Sequence, residues 1–258
     1  MNERKLLHRL GLLFPKSLSE FYDHPGYQTG NKDMNQEVKK VFLCLDFTEE
    51  CLSAAIKFNP DIIITHHPFF FGSKPKIRKD DLLKAKLEKE VLSKLHCPIY
   101  SYHTNFDKAK NGMNDTLFAF LGFEVDEIGK DGCLRITNLK EGKTTSEIAR
   151  NLADKFHFDY VGYLDNQKLN FRIGMVAGGA GNDFSWAIDE NCDLYISGDS
   201  AHHARVDMRR YSLNYIELPH ECEEIGFMLG MSKALKDIDP TLEIEEFRFE
   251  EPYTLVKR

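Results

Sequence analysis

The sequence predicts an α/β protein built of two pseudo-symmetric α/β halves with an internal repeat, and three observations lead there. The run Ile62, Ile63, Ile64, Thr65 has the continuous apolar character of a strand buried on both faces, and Pro68, which cannot donate to a sheet ladder, ends it just past His66 and His67. Shifting the chain by 132 positions lays Val41 on Ile173, Ala55 on Ala187, Asn59 on Asn191, Asp61 on Asp193, Ile64 on Ile196 and Thr65 on Ser197 without a gap. Both copies then run into a further strand followed by a His-x-x-x-carboxylate, His103 with Asp107 and His220 with Glu224.

Taken in order, Leu6, Leu7, Leu10 and Leu13 form a helix-period stripe that would lie on the first sheet. A Gly-containing loop, Gly26 to Gly30, is expected before the first strand, VFLCLD from Val41. A helix through AAIKF leads to the Ile62 strand, Asp80 to Leu95 has helical periodicity, and a strand around Ile99 precedes the His103 segment. GMNDTLFAFLGF reads as an apolar helix stopped by Gly122. Residues 124 to 132, acidic and Gly-bearing, mark the expected boundary, giving halves 1–128 and 129–258. The second half opens with a strand around Leu134 and Ile136, then a helix started by a Thr144/Glu147 capping box, then strands near Tyr160 and Phe171. GGAGND, Gly178 to Asp183, lacks a P-loop lysine and the G-x-G-x-x-G order, so a tight strand-to-helix turn is expected rather than a phosphate cradle.

Composition narrows the function classes. A formal charge of -7 argues against extended nucleic-acid binding, which draws on clustered Lys and Arg. The basic stretch from Lys74 to Glu90 soon becomes mixed in charge and reads as a solvated helix face, with an anion-attracting rim as its functional alternative. No apolar run is long enough to span a bilayer and the first residues do not form a signal peptide, so a cytoplasmic protein is expected. The cysteines at 44, 51, 97, 133, 192 and 222 show no C-x-x-C spacing and are expected as free thiols.

The chemistry concentrates at strand ends, where ligands of open α/β sheets bind. Each histidine taken singly is a packed or surface residue more often than a ligand. The His66-His67 dyad with two His-x-x-x-acid segments at matched places of a repeat reverses that balance. His66, His67, Asp107, His220 and Glu224 offer three nitrogens and two carboxylates, a mixed donor set suited to two divalent transition-metal ions (Zn, Fe, Mn or Co) in a cleft between the halves. His202 and His203 are expected near the rim, and the PFFF run after His67 in the core or a subunit contact.

IIITHHPFFFG, SYHTNFDKAKNGMNDTLFAFLG, and LYISGDSAHHARVDM followed by LPHECEEIGF resemble the signature segments of the Nif three-like dinuclear metal-centre family, the GTP cyclohydrolase 1 type 2 homologues. The similarity spans nearly the whole chain, and FPKSLSEFYDHPGYQTG resembles the family's opening segment, with Tyr22, His24 and Pro25 departing from its usual Trp and Asn-Val. The resemblance implies that His66 shares one metal with His220, that His67 and Asp107 hold the other, that Glu224 bridges, and that the protein is a ring-shaped homohexamer. The family's catalogue name suggests ring-opening hydrolysis of a guanine nucleotide. Read from the residues themselves, a metal pair of this kind serves hydrolysis of a nucleotide-like or a phosphoester substrate equally, with His103, or one of His202 and His203, expected to carry the proton. A metal-binding or regulatory assembly protein without turnover is the competing reading.

Overall fold

A computed structural model describes residues 1–70 and 79–248, with only the backbone path at 79, 80, 223 and 224. Phe71 to Arg78 and the side chain of Glu224 lie outside the described residues. In chain order the strands are β1 (Gly26–Gly30), β2 (Lys40–Cys44), β3 (Ile62–Thr65), β4 (Pro98–Ser101), β5 (Glu127–Ile128), β6 (Arg135–Lys143), β7 (Gly162–Leu164), β8 (Asn170–Met175), β9 (Leu194–Ser197), β10 (Asn214–Glu217) and β11 (Glu243–Phe247). The helices are α1 (Glu3–Leu13), α2 (Glu49–Phe58), α3 (Lys79–Lys94), α4 (Thr104–Lys108), α5 (Met113–Phe120), α6 (Thr145–Phe156), α7 (Ser185–Asp189), α8 (His202–Arg210) and α9 (Cys222–Ile238). None of the described helices is long and apolar enough to cross a membrane.

The contacts group the chain into two compact units, Met1–Gly112 with Phe227–Arg258, and Met113–Gly226. A single cut after residue 128 would separate β11 from β2, to which it is paired in parallel from Glu243↔Lys40 to Phe247↔Cys44.

The first unit holds a five-stranded sheet of order β1-β4-β3-β2-β11. Its centre is the parallel pair β2 and β3 (Val41↔Ile62), wholly buried at Val41, Phe42, Leu43, Ile62, Ile63 and Ile64, as the unbroken apolar runs require. Thr48 caps α2 by accepting a hydrogen bond from the Cys51 amide. On α1 the buried apolar positions are Leu6 and Leu10, followed by Phe14, whereas Leu13 is exposed; the apolar face is an i, i+4, i+8 line narrower than the leucine stripe suggests. The segment Gly26–Gly30, expected as a loop, is strand β1, because it runs antiparallel along the free edge of β4, with Gly26 opposite Ser101 and Gly30 opposite Pro98. Gly30 approaches the Cys97 carbonyl so closely, at φ 94°, that a side chain there would collide with backbone.

The second unit holds a six-stranded sheet of order β5-β6-β8-β9-β10-β7, in which β8, β9 and β10 are parallel. The capping box of α6 forms as the sequence predicts: the Glu147 amide donates to Thr144 Oγ1 (3.2 Å) and the Thr144 amide to Glu147 Oε2 (3.1 Å). The acidic stretch expected as a boundary belongs instead to this sheet. Glu127 pairs with Ile136 and its carboxylate is gripped by Arg172, which answers the local negative charge. GGAGND makes the expected tight turn, in which the Gly181 amide donates to the Gly198 carbonyl (2.8 Å) and leaves no room for a Cβ.

The repeat holds at the level of single hydrogen bonds. Asp61 Oδ2 accepts from the amides of Lys39 and Lys40, both at 2.8 Å; 132 positions on, Asp193 Oδ2 accepts from the amides of Phe171 and Arg172, both at 3.0 Å. Asn59 and Asn191 end their helical segments in the left-handed region, each with φ 55°. Register Val41↔Ile62 is matched by Ile173↔Leu194. The last strand corrects one equivalence. Thr65 lies opposite Ser101 and Ser197 opposite Glu217, with the Tyr102 amide donating to Thr65 and the Leu218 amide to Ser197. Tyr102 therefore corresponds to Leu218, and the counterpart of His103 is Pro219 rather than His220.

Candidate metal centre

Sheet geometry alone assembles the first cluster. His66 and His67 follow the last residue of β3, and their amides donate to the Cys44 and Leu45 carbonyls at 3.3 and 3.0 Å, so both leave the sheet at its carboxyl edge. Thr65 Oγ1 closes the turn by donating to the His67 carbonyl (2.7 Å). Two residues past the end of neighbouring β4, His103 begins α4, and its carbonyl accepts from the amides of Phe106 and Asp107. Asp107 thereby faces the same edge one turn later. Ligand nitrogens of His66, His67 and His103 all lie within 4.8 Å of one another, and His66 Nε2 is 3.6 Å from Asp107 Oδ1.

Each of these imidazoles is oriented through Nδ1. His66 Nδ1 is 2.9 Å from the Tyr102 carbonyl, His67 Nδ1 is 2.9 Å from Asp46 Oδ2, and His103 Nδ1 is 2.9 Å from Asp23 Oδ1. For His66 and His67 the hydrogen-bond acceptor at Nδ1 fixes that nitrogen as the donor and leaves Nε2 with its lone pair, the arrangement found where histidine binds a metal, while His103 meets Asp23 at ion-pair distance. Imidazole nitrogens with a carboxylate are a donor set that suits a borderline transition-metal ion. Two donors about 2.1 Å from one ion at a near-tetrahedral angle stand roughly 3.4 Å apart, which the His66 to Asp107 separation fits.

The supporting carboxylates are themselves held ionised. Burial works against the Asp23 charge, but the hydrogen bond and charge of His103, with the hydroxyl and amide of Thr104, outweigh it and hold the carboxyl down at about 2. Asp46 is likewise opposed by burial and lowered by the hydrogen bond and charge of His67, then by Lys84. Gln28, on β1, ties the parts together: its amide nitrogen donates to Ser101 Oγ (2.8 Å) and its oxygen accepts from the Phe69 amide (3.1 Å), just beyond the histidine dyad.

In the second unit His220 shows the same device, with Nδ1 2.6 Å from Asp199 Oδ2. Asp199 stands at the position that His67 occupies in the first copy and adopts φ 55°, while Gly179 lies against both side chains. His202 and His203 are exposed on the first turn of α8. Of the residues named from sequence, the structure thus gathers His66, His67, His103 and Asp107 into one cluster and pairs His220 with Asp199. Asp23, Asp46 and Gln28 were not singled out from sequence. Asp46, in the VFLCLD strand end beside β3, carried the one available signal: a carboxylate where an adjacent parallel strand stops.

The Duf34/NIF3 (NGG1p interacting factor 3) family profile matches residues 1–252. A protein of Clostridium perfringens named "GTP cyclohydrolase 1 type 2 homolog" is 30% identical over 231 residues, covering 86% of this chain and 87% of that one. A protein of the same name from Methanocaldococcus jannaschii is 25% identical over 249 residues, covering 95% and 98%. Among solved structures, a Bacillus cereus protein related to NIF3 superposes with a TM-score of 0.83 at 19% identity over 99% of both chains, a likeness of fold. Reduced HcgD from Methanocaldococcus jannaschii gives 0.77 at 25% identity over 96% of this chain and 98% of that one.

Proposed function

The chain belongs to the Duf34/NIF3 family, and from that membership and the histidine cluster we propose that it is a metal-dependent hydrolase acting on a nucleotide-like or phosphoester substrate. In this reading His66, His67, Asp107, His220 and Glu224 hold two divalent transition-metal ions (Zn, Fe, Mn or Co), and His103 is the proton carrier. The observation that carries the reading is the Nδ1 pattern, in which His66, His67 and His220 each have a backbone carbonyl or carboxylate acceptor that reserves Nε2. When bound, such ions would acidify water and polarise an electrophilic substrate atom. The protein supplies the rest. Asp23 stands 2.9 Å from His103 Nδ1 and orients the ring, and in this reading His103 Nε2 accepts a proton and returns it. The buried wall of Phe106 and Phe227, whose rings lie 6.4 and 5.5 Å from the His66 ring, excludes water from that side. The name shared by the relatives supports a nucleotide-like substrate, and a phosphoester needs the same donor set. The ring-shaped homohexamer belongs to the same proposal, to be read from the mass in solution.

Elemental analysis of protein purified without added metal, followed by a panel of nucleotides and phosphoesters with and without chelator, tests this function. About two ions per chain and hydrolysis that disappears with chelation and returns with metal are expected. A metal-saturated protein with no chelator-sensitive hydrolysis would replace the enzyme with a metal-binding assembly protein.

A further inference from the structure

The lysines of α3 are not alike. Lys86, Lys89 and Lys94 are exposed, and Lys94 is paired with Glu90 at 2.7 Å, as befits a solvated helix face. Lys84 is half-buried and stands over the Phe69 ring, its ammonium 5.8 Å from the ring centre. Phe69 is itself buried and sits two residues past His67, with its amide fixed by Gln28. The charge of Lys84 also reaches the Asp46 carboxylate that orients His67. Lys84 thus borders the histidine cluster from two sides, the loop after His67 and the support beneath it.

An aromatic face attracts an ammonium but takes up none of its charge, and lysine carries three N–H donors. Asp46 is held by His67, and Lys84 forms no ion pair with it or with any other described carboxylate. A half-shielded cation in that state draws an anion from solution more strongly than a solvated one, because less water competes. We propose that Lys84 is an anion anchor beside the histidine cluster, taking a phosphate-type oxyanion of the molecule bound there. The proposal deepens the hydrolase reading and rests on it: it assigns the substrate a phosphate group and names the residue that holds it. A compact ammonium suits this task, since a phosphate offers several acceptor oxygens and no fixed plane to match.

Full-length protein, metal-loaded and chelator-stripped in parallel, is titrated with inorganic phosphate at low ionic strength, with bound metal measured on the same preparations. Lys84→Gln should retain metal and raise the phosphate Kd roughly tenfold or more, the effect of one charged hydrogen bond. Lys84→Arg, which keeps the charge, should bind nearly as the unaltered chain does, and Lys94→Gln should leave binding unchanged. Equal binding by Lys84→Gln, equal weakening by Lys94→Gln, or no phosphate binding by the unaltered chain would each overturn the anchor. If the chain takes up no metal while the Lys84 effect persists in the stripped protein, the hydrolase reading falls and the anchor stands. Metal-dependent turnover with a silent Lys84→Gln gives the converse.

Discussion

Asp46 Oδ2 lies 2.9 Å from His67 Nδ1, joining a carboxylate just past β2 to a histidine just past β3. Such a partner fixes the ring and raises its basicity as a ligand, so Asp46→Ala should weaken metal binding roughly 10- to 100-fold without unfolding the chain. Competition with a chromophoric chelator measures it, and unchanged affinity would remove Asp46 from the site.

His103 is close enough to His66 and His67 to be a ligand, yet the proposed ligand set does not need it. His103→Ala should keep most bound metal and lose roughly 10² to 10⁴ in turnover, the loss expected for a general acid or base. Glu224→Ala should instead release metal. Metal content and activity on the same preparations decide; a His103→Ala protein as empty as Glu224→Ala would make His103 a primary ligand.

The Asp23 carboxyl, held at about 2 against an ordinary 3.8, links stability to acid. Because the folded value is the lower one, the stabilisation is complete above the unfolded value and is lost as pH falls through about 2. In chelator-stripped protein, Asp23→Asn should therefore flatten the fall of the urea midpoint between roughly pH 4 and pH 2. An identical acid limb in the variant would show that Asp23 is not the group responsible.

Asp61 and Asp193 each bind two consecutive amides at equivalent positions of the two copies. Truncating either to alanine leaves two backbone donors without that acceptor and should cost about 1 to 3 kcal/mol. Denaturant unfolding of both variants should give comparable losses. A silent Asp193→Ala beside a costly Asp61→Ala would mean that only the first copy still uses the bond.

Much of the frame was legible because it is local. The apolar runs of β2 and β3, the 132-residue shift and the Thr144 capping box depend on neighbours along the chain, and the sequence displays them directly. Strands β1, β5 and β11 were missed because their reason for being strands lies elsewhere: a free edge of β4, the charge of Arg172, the flank of β2. The histidines of the site were visible as types and spacings, but their supports were not. Asp23 and Asp46 are separated from their histidines by 80 and 21 residues, and strand adjacency alone brings them together. The apparent match of His103 with His220 misled by one position because spacing to an acid was compared where register governs.

The order in which the chain leaves the ribosome gives the position of β11 a further meaning. The second unit, Met113–Gly226, is continuous and can complete its own sheet as soon as it has been synthesised, since domains generally fold as units. The first is made earlier but finished later. Until Glu243–Phe247 arrives, β2 carries an open edge beside the apolar residues Val41, Phe42 and Leu43, the kind of edge that recruits foreign strands. The glutamates of β11 at 243, 245 and 246 then bring charge to that flank of β2, so a strand made late also guards against aggregation. A nascent chain stalled before residue 243 should therefore be held by a chaperone more than one extended through residue 247.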